Sequence, residues 1–381
     1  MHSIRLLLVL LIALPAIGNA RSVPEAPPLE ADAYILMDAA TGQVIAEHDA
    51  DQRRSPASIT KVMTSYVAFE EIAAGRAAMD DEVLISEKAW RQGIDSSQSR
   101  MFIEVGSRVP LEALLHGMIV QSGNDASVAI AEHLAGSEAG FASMMNATAK
   151  RLGMTNSRFQ NASGMPVEQH YSTARDIAKL IHAHIKDFPD GYAIYSEKEF
   201  TYNEIRQFNR NRLLWRDDTV DGVKTGYTSE SGYCLASSAV RDGRRLISVV
   251  LGTPSPSQRT QDSLALLNYG YRFFDTVTLF GAGEEVQKRP IYGGAQPEIA
   301  IGVAEALSVT VPRDAADAIK LDAEIRSPLR APIAAGERLG TLTVTLDDET
   351  LLVEPLVATG DVPEGGIFKR LFDAVRLRLG V

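Results

Sequence analysis

One short stretch indicates both the fold and the chemistry of this chain, and it reads Pro56-Ala57-Ser58-Ile59-Thr60-Lys61. Ser58 and Lys61 are three residues apart, so on a helix their side chains lie on the same face. Pro56 suits a helix that begins nearby, where the helix dipole and free backbone N–H groups can stabilise a developing negative charge. Considered alone, however, the pattern favours an N-cap serine followed by a solvated lysine.

Two further motifs follow in order, and each occurs once: Ser122-Gly123-Asn124 and Lys224-Thr225-Gly226. By itself, the first would cap a helix and the second would form an exposed turn. Together with Ser58 and Lys61 they supply a hydroxyl nucleophile, an amine, a second hydroxyl with a carboxamide, and a cation beside a strand. This set of groups predicts acyl transfer through a serine ester, with no metal and no organic cofactor.

We expect a separate role for each group. Lys61 would be the base that takes the proton of the Ser58 hydroxyl, its pKa lowered by burial and by a second cation such as Lys224. Ser122 would relay a proton between Lys61 and the leaving amine. Asn124 would hold the amide carbonyl of the substrate.

The third motif lies in a strand pattern. An open strand edge can accept an extended peptide as a further strand, and Gly226 would permit its close approach. Lys224 and Thr225 would then bind the terminal carboxylate of that peptide.

Length and charge restrict the class of protein. The chain has 381 residues, which suggests two domains. Its net charge of −11 argues against a nucleic-acid partner. The single cysteine, Cys234, cannot form an intrachain disulfide, and we expect it to be a buried apolar residue.

Residues 1–20 are typical of a secretory signal peptide, with Arg5, an apolar run at residues 6–17 and small residues before a cleavage site after Ala20. The alternative is a membrane-spanning helix. It is disfavoured because this run is much shorter than the roughly twenty residues that a span needs. We therefore expect an exported protein.

Hydrophobic periodicity predicts an α+β fold for residues 21–280. Strand patterns near both ends of this segment flank a run of helical patterns, so one antiparallel sheet with a helical lobe is expected. The last two strand patterns, residues 233–240 and 246–251, are joined through Asp242-Gly243, which suits a tight hairpin. Residues 281–361 show short strand patterns and turn residues, which predict a small all-β domain.

Residues 362–381 are predicted to form a hinge and an amphipathic helix. One face of this helix would be apolar, with Ile367, Phe368, Leu371, Phe372, Val375 and Leu379. The opposite face would be polar, with Lys369, Arg370, Asp373 and Arg376. Leu377 and Arg378 do not fit this division. This helix would either pack on the all-β domain or lie in a membrane interface. Because this tail is basic while the whole chain is acidic, we favour the helix in the membrane interface over the helix packed on the all-β domain.

The three motifs and their surroundings resemble those of low-molecular-mass penicillin-binding proteins of the serine D-alanyl-D-alanine carboxypeptidase family. Matching stretches include Gln121-Ser122-Gly123-Asn124-Asp125-Ala126 and Asp221-Gly222-Val223-Lys224-Thr225-Gly226. The resemblance covers nearly the whole chain. It implies a penicilloyl-serine-transferase (β-lactamase-like) catalytic domain, followed by the all-β domain and the C-terminal amphipathic helix.

The resemblance also implies a function in peptidoglycan maturation and cell shape. Such an enzyme removes the terminal D-alanine from peptidoglycan pentapeptides at the periplasmic face of the bacterial inner membrane, and β-lactams acylate its serine. Backbone N–H groups of Ser58 and Tyr227 would form the oxyanion hole, and Arg259 would help to hold the substrate carboxylate. Many family members have a histidine where Tyr227 stands, but only its backbone would act.

Other functions fit parts of the pattern. A D,D-endopeptidase would use the same motifs, but family endopeptidases usually lack the all-β domain and the anchor. A β-lactamase is disfavoured by those appendages and by the loop at 159–171, where Glu168 lacks the downstream Leu-Asn of the class A signature. We expect Glu168 and His170 to be solvated loop residues. A non-catalytic wall-binding protein is least favoured, because every reactive group is present.

Overall fold

The structure is a computed structural model that describes residues 23–94 and 98–379. The predicted signal peptide at residues 1–20 lies outside the described residues. The helices are α1 (Thr60–Ala73), α2 (Glu87–Gln92), α3 (Leu111–His116), α4 (Asn124–Ala135), α5 (Glu138–Arg151), α6 (Ala174–Asp187), α7 (Pro189–Ala193), α8 (Pro256–Phe273) and α9 (Ile367–Leu379).

The strands of the first part of the chain are β1 (Ala33–Asp38), β2 (Val44–His48), β3 (Glu82–Leu84), β4 (Arg108–Pro110), β5 (Glu199–Tyr202), β6 (Ile205–Phe208), β7 (Val220–Thr228), β8 (Gly232–Arg241) and β9 (Arg244–Thr253). Those of the second part are β10 (Phe274–Phe280), β11 (Glu285–Tyr292), β12 (Glu298–Gly302), β13 (Leu307–Pro312), β14 (Ile319–Ile325), β15 (Leu329–Arg330), β16 (Arg338–Leu346) and β17 (Glu349–Ala358).

One antiparallel sheet, in the order β2-β1-β9-β8-β7, joins strands from both ends of the first part of the chain. This confirms the sheet predicted from the sequence. Asp242 and Gly243 connect β8 to β9 with φ angles of 51° and 78°, which a two-residue hairpin turn of type I′ requires. The order of strands leaves β7, which carries the third motif, at one edge of the sheet.

Helix α1 runs through the middle of this part of the chain. Nearly all of its side chains are buried, including Lys61, Met63 and Tyr66, so it is a core helix and not a surface helix. Helices α4, α5 and α6 pack against α1, while α8 packs on β8 and β9. A turn of 3-10 helix, Ala57–Ile59, leads directly into α1 and contacts β7. The first and third motifs are therefore neighbours.

The second part of the chain is all-β, as predicted. β10 pairs with β13, and a larger sheet follows the order β14-β16-β17-β12-β11-β15. The buried side chains of both sheets, such as Ile301, Val309 and Leu342, form a core separate from the one around α1. β10 comes directly after α8 and so connects the two parts.

Helix α9 lies against the all-β part with its polar face. Lys369 Nζ donates to the carbonyl oxygens of Gly294 (2.6 Å) and Gln296 (2.9 Å), and Asp373 Oδ2 accepts from the Gly293 N–H at 2.8 Å. The side chains of the opposite face are exposed: Ile367, Phe368, Leu371, Phe372 and Val375. In the described part of the chain, none of the helices combines the length and the apolar character that crossing a membrane requires.

Candidate active site

Ser58 lies in the short 3-10 turn that directly precedes α1. Lys61 is in the first turn of α1, and its side chain is fully buried. Lys61 Nζ is 3.0 Å from Ser58 Oγ, 2.8 Å from Asn124 Oδ1 and 2.6 Å from the carbonyl oxygen of Ser163. The amine is thus held against the hydroxyl by partners from two other segments, which is not the solvated lysine of the simpler interpretation.

The environment of Lys61 lowers its pKa from 10.5 to about 7. Burial is the main cause, because the charged ammonium loses its hydration. The buried Asp125 carboxylate opposes this effect, and the nearby Arg210 guanidinium adds to it. Arg210 is thus a cation that the sequence did not suggest, while Lys224, the one it did suggest, also interacts with Lys61, whose charge lowers the Lys224 pKa.

Gly123 of the Ser122-Gly123-Asn124 motif occupies the N-cap position of α4, but no side chain of the motif caps that helix. Ser122 has a left-handed φ of 72°, and Gly123 precedes α4 without a side-chain cap. A non-glycine residue in this region is strained, and such strain is concentrated at functional sites. Asn124, the first residue of α4, accepts from Lys61 and donates its Nδ2 to Gln98 Oε1 at 3.0 Å. Ser122 and Asn124 are both buried, and both line the same cleft as Ser58.

The third motif lies on the free edge of β7. Lys224 is buried, and its pKa lies well below the ordinary value because of burial and the charges of Lys61, Arg210 and Arg259. A Cβ on Gly226 would lie 2.9 Å from the carbonyl oxygen of Pro56. Gly226 therefore lets β7 approach the turn that carries Ser58. The sequence had suggested that this glycine allows a bound peptide to come close.

A cleft of about 1250 Å³ opens between these elements. Of the predicted site residues, it is lined by Ser58, Ser122, Asn124, Thr225, Gly226, Tyr227 and Arg259, while the buried Lys61 and Lys224 lie beneath its surface. Arg259 Nη1 donates to the carbonyl oxygen of Gly226 at 3.0 Å. Exposed aromatic side chains of Phe208, Trp215 and Tyr227 border the opening.

The loop at 159–171 contributes more than the sequence predicted. Glu168 is exposed, as expected, but His170 is buried, so the prediction of a solvated histidine is wrong. His170 Nδ1 accepts from the Gln160 N–H at 3.1 Å, so its Nε2 is the donor in the 2.8 Å hydrogen bond with Thr60 Oγ1. Burial and the charge of Lys61 lower the pKa of His170 to about 4.

Three contributors were missed by sequence reasoning: the Ser163 carbonyl, His170 and Arg210. Arg210 lines the cleft and donates from Nε to the Gln121 carbonyl oxygen at 3.3 Å. The one local sequence signal for the position of this loop was a glycine, Gly164, directly after Ser163. The structure explains it, because Gly164 has a φ of +83° and a Cβ there would lie 1.8 Å from the Ala57 carbonyl oxygen. That glycine lets the loop approach the turn before α1.

The fold and the site together define an active-site serine enzyme with a β-lactamase-like catalytic part. A model of the D-alanyl-D-alanine carboxypeptidase family matches residues 20–255, and the model of the C-terminal domain of penicillin-binding protein 5 matches residues 274–364. The chain belongs to the D-alanyl-D-alanine carboxypeptidase family. This confirms the family, the fold class and the enzyme class predicted from the sequence.

Individual relatives are similar over nearly their whole length. The chain is 42% identical to D-alanyl-D-alanine carboxypeptidase DacC of Escherichia coli over 368 residues, which cover 96% of this chain and 92% of that protein. DacA of the same organism is 41% identical, with 93% and 89% covered. The crystal structures of penicillin binding protein 5 from Haemophilus influenzae match with a TM-score of 0.86 at 38% identity, covering 90% of this chain and 100% of that chain.

Proposed function

We propose that this protein is a serine D,D-carboxypeptidase that removes the terminal D-alanine from peptidoglycan pentapeptide stems. The observation that carries the proposal is the buried Lys61 amine, 3.0 Å from the Ser58 hydroxyl at the base of a cleft. A lysine with a pKa of about 7 is partly neutral at physiological pH and can accept a proton. Membership of the family supports the same activity.

In the acylation step, Ser58 Oγ forms a bond to the carbonyl carbon of the penultimate D-alanine, and the bond from that carbon to the terminal nitrogen breaks. Lys61 takes the hydroxyl proton, and Ser122 relays a proton to the leaving amine. The backbone N–H groups of Ser58 and Tyr227 stabilise the negative oxygen. Water then hydrolyses the ester and restores the Ser58 hydroxyl. A β-lactam would acylate Ser58 in the same way.

The stem peptide would extend β7 at its free edge, with Asn124 on an amide carbonyl of the acyl portion. Thr225, Lys224 and Arg259 would hold the terminal carboxylate. Lys224 is desolvated and surrounded by cations, so a bound carboxylate would favour its protonated form. Gly226 contributes by holding β7 against the Ser58 turn and by accepting from Arg259.

The protein would be tested with a pentapeptide muropeptide, a crosslinked dimer and labelled benzylpenicillin. We expect release of D-alanine from the pentapeptide, and a penicilloyl adduct that Ser58→Ala abolishes. Lys61→Arg keeps a cation but no neutral amine, so it should lose acylation. An adduct that persists in Ser58→Ala would refute the assignment of the nucleophile. Cleavage of the dimer alone would indicate an endopeptidase.

We also propose that the mature protein begins after Ala20 and works at the periplasmic face of the inner membrane, bound through residues 362–381. The exposed apolar face of α9 supports this, because Phe368 is 87% exposed and Leu371 63%. Flotation with liposomes tests it: deletion of residues 366–381 should abolish binding. Residues 21–280 would form the catalytic domain and residues 281–361 the all-β domain. β10, at the end of the first range, pairs with β13 of the second and connects the two.

A further inference from the structure

A second pocket, of about 460 Å³, lies between α9 and the all-β domain. The all-β domain contributes Arg330, at the end of β15, and Tyr292, while α9 contributes Arg370, Asp373, Leu377 and Arg378. None of these residues belongs to the catalytic site. Leu377 and Arg378, which were out of place in the amphipathic pattern, both line this pocket.

The pocket lies at the flank of α9, between its two faces. One face is fixed to the all-β domain through Lys369 and Asp373, and the other presents exposed apolar side chains such as Phe368. Arg370 and Leu377 are seven residues apart, so they form one row along the flank. If the apolar face enters the membrane, this flank lies at the depth of the lipid headgroups.

Some charged side chains of the pocket have partners in the protein and others have none among the described residues. Asp373 accepts from the Gly293 N–H, and Arg370 pairs with Glu364. Arg330 and Arg378 are exposed, and neither side chain makes a hydrogen bond or an ion pair with the described residues. Two guanidinium groups without a carboxylate partner therefore face one small space. A guanidinium presents paired donors that match the oxygens of a phosphate.

We propose that this pocket binds the phosphate of an anionic phospholipid headgroup when α9 is at the membrane. The inference rests on the membrane attachment under the proposed function, and it adds a lipid class and a site. The apolar face of α9 would insert into the membrane interface, and the pocket would give the protein a preference for anionic lipids. Arg330 is the informative residue, because it lies outside α9 and its removal leaves the amphipathic helix unchanged.

The test is flotation of the full chain with phosphatidylcholine vesicles, with and without phosphatidylglycerol. Arg330→Gln is compared with Arg289→Gln, an exposed arginine of β11 that does not line the pocket. We expect Arg330→Gln to weaken binding to phosphatidylglycerol vesicles by about fivefold, in line with one arginine at a membrane surface. Binding to phosphatidylcholine alone should not change, and Arg289→Gln should match the parent protein.

The possible results separate the two proposals. Equal losses for Arg330→Gln and Arg289→Gln would mean diffuse attraction and would overturn the pocket, while the anchor would stand. Binding that survives deletion of residues 366–381, or no binding by the parent protein, would overturn both. Calorimetry with soluble glycerol 3-phosphate distinguishes the sources of phosphate. Submillimolar binding that depends on Arg330 without any membrane would overturn the lipid assignment.

Discussion

The pH dependence of acylation should report the titration of Lys61 directly. Only the neutral amine can take the Ser58 proton, and its pKa is lowered from 10.5 to about 7. At pH 7 about half of the molecules would then have a neutral Lys61, against about one in three thousand at the ordinary pKa. The buried environment thus raises the reactive fraction about 1,500-fold, equivalent to about 4 kcal/mol.

The assay is the second-order rate constant for acylation by benzylpenicillin, followed by intact mass between pH 5 and pH 9. We expect the rate to rise about tenfold per pH unit below a midpoint near 7 and to level off above it. Arg210→Gln removes the cation that helps to lower the pKa of Lys61, so its midpoint should move to higher pH. It should stay below the ordinary value for lysine, because burial is the main cause.

Arg206→Gln is the matched control. Arg206 lines the same cleft but pairs with Glu199, and its charge is not among those that act on Lys61. Each variant can lower the plateau by weakening substrate binding, so the position of the midpoint is the diagnostic quantity. A midpoint that is unchanged in Arg210→Gln, or that moves equally in Arg206→Gln, would refute this account of Lys61.

Three further results are expected. Gly164→Ala should abolish acylation and lower the melting temperature, because its Cβ would lie 1.8 Å from a backbone oxygen of the turn before α1; Gly136→Ala has nothing within 4 Å and should cost far less. Burial lowers the pKa of His170 and of His184 to about 4, so the stability that these two histidines contribute should be full above pH 6.5 and fall towards pH 4 as the unfolded chain takes up protons. Urea titrations should show a loss of about 1.4 kcal/mol per pH unit for each histidine, and a smaller slope in His170→Gln. Phe368→Ser should weaken liposome binding with no change in the urea midpoint, since that side chain is 87% exposed.

Much of the fold could be predicted because its signals are local. The hairpin depends on the two residues Asp242 and Gly243, whose backbone conformation the turn itself requires. The spacing of Ser58 and Lys61 brings their side chains together on consecutive turns of one helical segment. The order of the three motifs identified the family before any contact was known.

The remaining features depend on contacts between distant parts of the chain. Lys61 bonds to Ser163, 102 residues away, and Thr60 bonds to His170, 110 residues away. No sequence pattern shows that His170 is buried, that the charge of Arg210 acts on Lys61, or that Gly226 faces the Ser58 turn.

The sequence by itself determined which reactive groups this protein carries, in which order, and which segments form strands and helices, because backbone preferences and hydrophobic periodicity act over a few residues. Only the tertiary structure decided the protonation states of those groups, and which face of α9 contacts the all-β domain and which is exposed. Desolvation and long-range packing set a pKa and an exposed surface, and both arise only when distant segments come together.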